Sequence, residues 1–524
     1  MADLAEYPYV KDEACCFDIH CHTMTLDHAN LPAFLQRFRV KAFVIKMAAI
    51  LLAAAVILWA LWHWPVGRWI RWAVVAALVI VAVAIVVHLV RLSRRVVNLL
   101  AEMGSAIGDQ YVLLERNLAK KWGDCAHPEE PPRIIVRGEG DEECCEYRRI
   151  ILTPLIVDFG AKGLLDRRIT GYYRELPRKP VVKQTADLLE GIAYYTRHTQ
   201  CHLFEIYPFL GLNPQFYPLD KRMDTRVRDV PEYDESELPA GIKIETDPSD
   251  RSGYVITDGE MAKEAKRWLY RLFHKSENNR YAIKRLYDDS RDQDRGTTLP
   301  ELLDKYFRDY TGRREDLFAH MGAYKGDIDC MGSNVFAGIK LYPPLGFDPW
   351  PSEHCQYQRE KVRRLYGFCQ EKQIPITVHC SVGGFIGTQD GKEAMRLVTP
   401  HKWVEVLKEY PNLRLNFAHL GRQDRGTEWQ RVVLDLLERY PNVYTDFANC
   451  AVSRTFYDRL SRLIAEHPHA KERLLFGSDF MVNLLETDSY AEYYGYFLDA
   501  KNALSAEDRH QFFHVNPKRF LFER

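Results

Sequence analysis

The stretch CCFDIHCHTM, residues 15–24, decides how the rest of the chain is interpreted. An apolar segment around Phe17 and Ile19 ends in two histidines, His20 and His22, with one residue between them. Alternate residues of a β-strand point to the same side, so both imidazoles can reach one common point. Because neutral imidazole is the commonest protein ligand of divalent metals, the stretch predicts part of a metal site at the end of a short strand.

Composition excludes several classes of protein. The 524 residues carry a formal net charge of −1, so no global field points to nucleic acid or to an acidic partner. The 12 cysteines are scattered without Cys-x-x-Cys spacing, which indicates reduced thiols in a cytosolic setting and not a disulfide framework. The first residues are acidic and lack an apolar core, which argues against a signal peptide.

Two apolar segments, residues 42–62 and 72–90, are each as long as the roughly 20 residues that cross a bilayer. Basic residues flank their outer ends, and tryptophans cluster in the connection, as they do at membrane interfaces. The pattern predicts a multi-pass membrane protein with a two-span hairpin over residues 42–91. By the positive-inside rule, the catalytic domain and both termini are expected in the cytoplasm, with the lipid bilayer as a partner.

Short apolar strands alternate with amphipathic helices from residue 150 onward. Segments 408–419 and 438–449 repeat the same helix, turn and strand about one β/α unit apart. Eight strands separated by helices predict an α/β fold, the (β/α)8 TIM barrel of metal-dependent hydrolases. The candidate strands are residues 17–20, 155–158, 203–208, 338–342, 376–379, 413–418, 443–446 and 474–477.

The predicted barrel divides the chain into four parts. Residues 1–41 hold the first strand and its loop, residues 42–91 the hairpin, and residues 92–149 a helix and loop that return to the barrel. Residues 150–524 supply the remaining strands. Within them, residues 219–300 are too polar and too long for an ordinary connection and predict an insertion.

Active sites of such barrels form at the carboxyl ends of the strands. A second pair with the same spacing as the first, His467 and His469, precedes the last strand and is therefore expected at the opposite, structural end. In the predicted register, the strand ends carry these polar side chains: His20, His22, Lys340, Tyr342, His379, His419 and Asp479. Imidazoles and a carboxylate in this arrangement can hold a cation that lowers the pKa of a water to about 7.

This set, with the phrases LTPLIVDFG, GIKLYPPLGF and LLFGSDF, resembles the amidohydrolase superfamily and its amidohydrolase-related branch over residues 15–30 and 150–524. The resemblance implies that His419 binds a second metal or acts on the substrate, and that a carboxylated Lys340 bridges two metals. The implied cofactor is a divalent metal, Zn²⁺ in the first place, as one or two ions. The implied ligands are His20, His22, His379 and Asp479.

Several further roles are expected. Asp479 can take a proton from water and pass it to a leaving group, and His419 can polarise a carbonyl or stabilise an oxyanion. Arg422 and Tyr342 are candidates for substrate binding, with a solvated loop arginine as the alternative for Arg422. Asp158 and Asp446 end two strands and either serve the site or cap the following helices, and capping is favoured. Cys21 and Cys380 neighbour the ligands and are expected to be packed core thiols.

These features predict a membrane-anchored, metal-dependent hydrolase that attacks an amide, ester or lactone carbon of a small-molecule substrate. One alternative is a metal-dependent, non-oxidative decarboxylase of the same family. A second alternative is a catalytically inactive membrane receptor or scaffold. The sequence leaves the substrate, the metal and the oligomeric state open, and an oligomer is compatible with it.

Overall fold

The computed structural model describes most of the chain outside four long gaps and several short ones. The described residues are 7–26, 28, 56, 57, 59, 63, 67–124, 127, 129–138, 142–158, 180–214, 217–219, 242–246, 254–258, 297–353, 355–384, 391–423 and 426–523.

The strands are short, and those nearest the predicted site are buried on both faces. In chain order they are β1 (Cys15–Cys21), β2 (Ile134–Arg137), β3 (Glu143–Tyr147), β4 (Arg149–Pro154), β5 (Phe204–Ile206), β6 (Phe209–Gly211), β7 (Ile242–Thr246), β8 (Tyr254–Asp258), β9 (Gly338–Leu341), β10 (Ile376–Val378), β11 (Leu415–Phe417), β12 (Val443–Asp446) and β13 (Leu474–Leu475).

Helices separate most of these strands. They are α1 (Arg68–Met103), α2 (Ile107–Trp122), α3 (Pro180–His198), α4 (Leu299–Phe307), α5 (Arg314–His320), α6 (Gln356–Lys372), α7 (Gly391–Val398), α8 (His401–Glu409), α9 (Glu428–Arg439), α10 (Arg454–Glu466), α11 (Tyr490–Leu498), α12 (Ala506–His510) and α13 (Asn516–Phe522).

The parallel strands form two sheets, one ordered β1-β4-β5 and one ordered β13-β12-β11-β10-β9-β6. The six-stranded sheet is linked to the other at both of its edges, because Phe209 of β6 forms a parallel bridge with Leu155 and Phe480, just after β13, forms one with Cys21. Strand β5 continues into β6 through a two-residue break that contains Pro208, which has no backbone N–H to donate. The β/α alternation predicted from the sequence is therefore present as an α/β fold.

Most predicted strands coincide with observed ones within a few residues. The exception is the predicted strand 155–158, because the ladder with β1 runs from Arg149 to Pro154 and ends before it. The apolar run spans both segments, so hydrophobicity alone does not place the strand along it. Within the predicted insertion 219–300, the described residues include an antiparallel pair, β7 and β8. The remaining domain boundaries stay predictions.

The predicted membrane localisation is wrong. A helix that crosses a bilayer needs about 20 mainly apolar residues, and within the described part of the chain no helix combines that length with that apolarity. The first predicted span, residues 42–62, lies outside the described residues apart from three positions. Helix α1 includes the second span, and its last turns pack on the protein, where Leu99 and Met103 are buried and Arg95 pairs with Asp488 at 3.0 Å.

Candidate metal centre

Strands β1 and β13 bring the first histidine pair and Asp479 together, although more than 450 residues separate them in the sequence. The backbone N–H of Asp479 donates to the carbonyl of His20 at 2.6 Å, which aligns the two strand ends. As a result, Asp479 Oδ1 lies 3.6 Å from His20 Nε2 and 3.4 Å from His22 Nε2. The His419 ring centroid lies 4.8 Å from that of His20. All of these side chains are buried.

The Nδ1 atoms of three imidazoles are held by oxygen acceptors. His20 Nδ1 lies 3.0 Å from Asp446 Oδ2, His22 Nδ1 lies 2.8 Å from the Leu155 carbonyl, and His419 Nδ1 lies 2.9 Å from the Ala448 carbonyl. A neutral imidazole has one donor and one acceptor nitrogen, so these partners assign the proton to Nδ1. The Nε2 lone pairs of the three rings are then available inside the site.

Burial keeps these rings neutral. It lowers the pKa of His20 and of His22 well below the ordinary imidazole value, and the nearby charge of Lys340 adds to the effect. Burial, with the neighbouring His20, also lowers the pKa of His419 to about 3. Neutral imidazole is the form that binds metals, so the electrostatic environment favours ligand chemistry.

The donor set fits a divalent cation. Two groups of ligand atoms, each within 4.8 Å of one another, occur among the described residues: His20, His22 and Asp479, and His20, His419 and Asp446. Nε2 of His20 is buried and makes no hydrogen bond. In the assigned tautomers, the imidazole Nε2 atoms and the Asp479 carboxylate are all acceptors, so a cation between them removes their mutual repulsion.

His379 lies in the same cleft in a different environment. Its ring is stacked on that of Tyr342 at a centroid distance of 4.5 Å and lies edge-on to His419 at 5.1 Å. Its Nε2 atom is 3.2 Å from Ser381 Oγ. It belongs to neither of the close groups, so its predicted role as a metal ligand stays a prediction.

Lys340 lies in β9 and is 1% exposed. Its Nζ atom makes no hydrogen bond, and burial lowers the pKa of the ammonium to about 8, against the opposing effect of the Asp446 and Asp479 charges. A lowered pKa increases the fraction of neutral amine, which carboxylation requires. The bridging role of Lys340 is thus chemically compatible with its surroundings and stays a prediction.

Left-handed backbone conformations orient the side chains of two site residues, His419 and Asp479. His419 and Leu420 have φ values of 65° and 54°, and Asp479 has a φ of 57°. Such conformations cost about 1–3 kcal/mol each in non-glycine residues and concentrate at functional sites. The turns place the His419 and Asp479 side chains over the strand ends. An extended strand would carry these side chains past the site.

A cleft of about 250 Å³ opens beside these residues. Tyr342 and Arg422, the predicted substrate-binding residues, both contribute to its wall. The Arg422 side chain is exposed, and its Nη1 atom donates to the Asn449 carbonyl at 3.1 Å. The rest of the wall combines polar groups with apolar side chains, and it includes Met24, Val157, Ser381, Val482, Leu485 and Glu486.

Asp446 does not cap a helix, which corrects the favoured expectation. Helix α10 is capped by Ser453, whose Oγ accepts from the Phe456 N–H at 3.3 Å, while the Asp446 carboxylate contacts His20. Asp158 accepts from the Asn213 N–H at 2.9 Å, and the segment that follows it lies outside the described residues.

The sequence interpretation did not consider Asp18, a buried carboxylate with a structural role beside the site. Its carboxylate accepts from the Ser478 N–H and from the Tyr490 hydroxyl, each at 2.8 Å. The spacing Asp-x-His-x-His, which places three polar residues at alternate positions along β1 and just past its end, is the signal that could have identified it.

The second histidine pair, His467 and His469, does not contribute to a close group of ligand atoms among the residues that the structure describes, as the first pair does. His467 and His469 flank Pro468 immediately before β13, and His469 Nε2 donates to the Leu434 carbonyl at 3.2 Å. Neither residue belongs to a close ligand group in the described chain. The expected core thiols Cys21 and Cys380 are both buried.

Comparison with known proteins gives a family match. Residues 316–522 match the amidohydrolase family. This segment includes the strand ends that carry Lys340, His379, His419 and Asp479, whereas β1 lies outside it. No curated protein matches the chain.

Several solved structures are similar to parts of the chain. An amidohydrolase from Burkholderia multivorans with bound zinc is 15% identical over 36% of this chain and 64% of its own, with a TM-score of 0.26. A probable 2-pyrone-4,6-dicarboxylic acid hydrolase from Acinetobacter baumannii is 13% identical over 37% and 66%, with a TM-score of 0.27.

A 5-carboxyvanillate decarboxylase from Novosphingobium aromaticivorans, complexed with manganese, is 11% identical over 40% of this chain and 61% of its own, with a TM-score of 0.25. The chain therefore spans less than two thirds of the length of each of these three relatives.

Proposed function

We propose that the protein is a metal-dependent hydrolase of the amidohydrolase type, acting on an amide, ester or lactone carbon of a small molecule. The observation that carries the proposal is the convergence of the Nε2 atoms of His20 and His22 on the Asp479 carboxylate, at 3.6 and 3.4 Å. The match of residues 316–522 to the amidohydrolase family supports the same reading independently.

We further propose that the parallel strands form one closed (β/α)8 barrel. Seven of its strands are β1, β4, β9, β10, β11, β12 and β13. The interrupted pair β5 and β6 forms the eighth. The two bridges that link both edges of the six-stranded sheet to the three-stranded one support closure. In a closed barrel the carboxyl ends of all strands face one mouth, so the proposal gathers the candidate ligands at that mouth.

His20, His22 and Asp479 are the proposed ligands, with His419 and His379 as further candidates, and Zn²⁺ is the first candidate metal. A divalent cation bound there supplies Lewis acidity and lowers the pKa of a coordinated water. The chain's own residues then bind the substrate, hold it in position and move protons.

Asp479 is the proposed proton carrier, because its carboxylate lies at the centre of the donor set and opens onto the cleft. His419 carries its proton on Nδ1, so in the neutral ring the Nε2 atom is a ligand or a proton acceptor. Polarisation of a substrate carbonyl by His419 requires prior protonation of Nε2. Arg422, at the cleft wall, is the proposed partner of a substrate carboxylate, and Tyr342, which lines the same wall, is the second proposed substrate-binding residue.

The test begins with a metal count on the purified full-length protein. We expect at least one tightly bound equivalent, which His22→Ala abolishes. The matched control is His469→Ala, because that residue has the same His-x-His spacing and lies outside the close ligand groups. Wild-type protein with less than one equivalent would favour the scaffold alternative.

A panel of small amides, esters and lactones then tests the reaction. Hydrolysis that depends on the bound metal supports the proposal. Release of carbon dioxide from aromatic or unsaturated acids, without hydrolysis of the panel, would replace it with the decarboxylase alternative. Arg422→Met is expected to raise KM about tenfold for anionic substrates and to leave KM for neutral ones unchanged, since one charge-assisted hydrogen bond contributes on the order of 1.5 kcal/mol.

A further inference from the structure

Asp446, at the end of β12, is completely buried, and its carboxylate accepts four hydrogen bonds. Oδ2 accepts from His20 Nδ1 at 3.0 Å and from the Asn416 side-chain amide at 2.8 Å. Oδ1 accepts from the backbone N–H groups of His419 at 3.0 Å and Ala448 at 3.1 Å. One carboxylate thus holds the ring of one site histidine and the backbone of another.

These contacts decide between two roles for Asp446. Its proximity to His20 and His419 makes it a candidate ligand for a second metal. An ionised carboxylate, however, has about four lone-pair sites, and all four are occupied by hydrogen-bond donors. A carboxylate in this state has no remaining lone pair to offer a cation.

We propose that Asp446 is a positioning residue that fixes His20 in the tautomer protonated on Nδ1, so that its Nε2 lone pair faces Asp479. The same carboxylate fixes the left-handed turn at His419, whose φ is 65°. The consequence for metal affinity rests on the function proposed above, whereas the tautomer of His20 is testable without any metal. Carboxylates that orient ligand histidines typically contribute 10–100-fold to metal affinity.

Asp446→Asn tests this role with little change in shape. The backbone donors at Oδ1 cannot reverse, so the amide oxygen must stay on their side, and the new NH₂ group then faces His20 Nδ1. His20 can avoid two opposed donors by moving its proton to Nε2. That change removes the lone pair that points into the site.

Asp18→Asn is the matched control, because Asp18 is equally buried and also contacts His20, but through the backbone N–H at 3.3 Å. Its Oδ1 accepts from backbone groups, while Oδ2 accepts from the Tyr490 hydroxyl, which can rotate to accept from an amide instead. The substitution removes the same charge at the same depth without opposing a donor to an imidazole.

The measurement on the metal-free, full-length proteins is the ¹⁵N NMR spectrum of histidine-labelled samples, with the His20 signals identified through His20→Gln. Wild type and Asp18→Asn are expected to show His20 protonated on Nδ1, and Asp446→Asn to show it protonated on Nε2. Thermal unfolding of each variant confirms that it is folded. A wild-type His20 protonated on Nε2, or the same tautomer in Asp446→Asn as in wild type, would overturn the proposal.

Competition with a chelator for Zn²⁺ supplies the second readout. Asp446→Asn is expected to bind Zn²⁺ about 10–100-fold more weakly than wild type, and Asp18→Asn is expected to match wild type. Equal losses in both variants would mean that the effect reflects buried charge in general. A second tightly bound equivalent that disappears in Asp446→Asn would make Asp446 a ligand. A wild-type protein that binds no Zn²⁺ would defeat the proposed function, while the NMR result still decides the role of Asp446.

Discussion

Towards the amino ends of the strands, Arg314 donates to both oxygens of the buried Glu205 at 2.7 and 2.8 Å and to Asp12 at 2.6 Å. At the carboxyl ends, imidazole lone pairs face the Asp479 carboxylate, and the Lys340 ammonium makes no hydrogen bond. Both clusters are buried and charged, but only the first satisfies its charges with bidentate pairing inside the protein.

The paired charges of the first cluster contribute to stability, whereas the acceptors of the second, which face one another, favour binding of a cation. A buried carboxylate paired with a guanidinium resists change, because removal of either partner leaves the other charged and desolvated. The site cluster instead keeps lone pairs directed at one another, an arrangement that destabilises the protein on its own and favours a bound cation. Substitutions in the two clusters are therefore expected to affect different measurable quantities.

The largest expected effect is on catalysis. Asp479→Ala removes both a proposed ligand and the proton carrier, so we expect turnover to fall by about 10⁴-fold, the upper range for general acid–base groups. Steady-state rates on the best substrate of the panel measure the change, with unfolding of the metal-free variant as the control. Retention of wild-type turnover would show that the carboxyl-end cluster is not the active site.

Arg314→Met is expected to lower the free energy of unfolding by about 4 kcal/mol, because it leaves Glu205 charged and buried without its main partner. Denaturant unfolding of the metal-free protein measures the loss, and the affinity for Zn²⁺ should not change. The double variant Glu205→Gln with Arg314→Met should recover part of the stability. If Arg314→Met instead weakened metal binding and left stability unaltered, the contrast between the clusters would fail.

Removal of the metal tests the cluster at the carboxyl ends of the strands. Zn²⁺ at about 100 times its Kd is expected to raise the free energy of unfolding by about 2.7 kcal/mol over the chelated protein. His22→Ala should abolish this difference, and His469→Ala should preserve it. Stabilisation of His22→Ala by the same amount as wild type would place the cation elsewhere in the protein.

The smallest effect concerns Glu102, a half-buried carboxylate outside both clusters. Burial raises the pKa of Glu102 from 4.5 to about 7, and its Oε1 atom has no hydrogen-bond partner. The folded protein therefore binds a proton more tightly than the unfolded chain, so the stability from this group is complete below about pH 4.5 and is lost as the pH rises towards 7.

Glu102→Gln should remove this loss and stabilise the protein by about 2 kcal/mol at pH 8, with little change at pH 4.5. This is less than the roughly 3 kcal/mol of the whole pKa shift, because solvent around the partly exposed side chain screens its charge. Denaturant unfolding at the two pH values measures the difference. Stabilisation by an equal amount at both values would mean that proton binding by Glu102 is not its cause.

The sequence allowed prediction of the strand alternation and of the residues at the strand ends, because both depend on short-range patterns. It did not place the second strand, since the apolar run from Ile150 to Val157 is long enough for more than one register and only the pairing with β1 selects Arg149–Pro154. The predicted membrane localisation had a similar origin, because segment length and apolarity were judged without knowledge of the folded chain.

The buried carboxylate Asp446 shows a second limit of prediction from sequence. Asp446 was recognised as a strand-end residue, but its partners lie 426 positions away at His20 and on neighbouring strands. A helix cap requires only local sequence, whereas a contact with an imidazole requires the tertiary fold. The nearby Ser453, a better capping residue at the start of α10, was the local signal against the capping interpretation.

The backbone bonds from His20 and His22 to residues 479 and 480 have a consequence for biosynthesis. At about 5–20 residues per second, a ribosome needs roughly 25–90 s after completing β1 before it adds those residues. During that interval the backbone N–H and C=O groups of β1 that face β13 lack their native partners. Completion of the proposed active site is thus among the last events of folding, and a chain halted before residue 479 lacks it entirely.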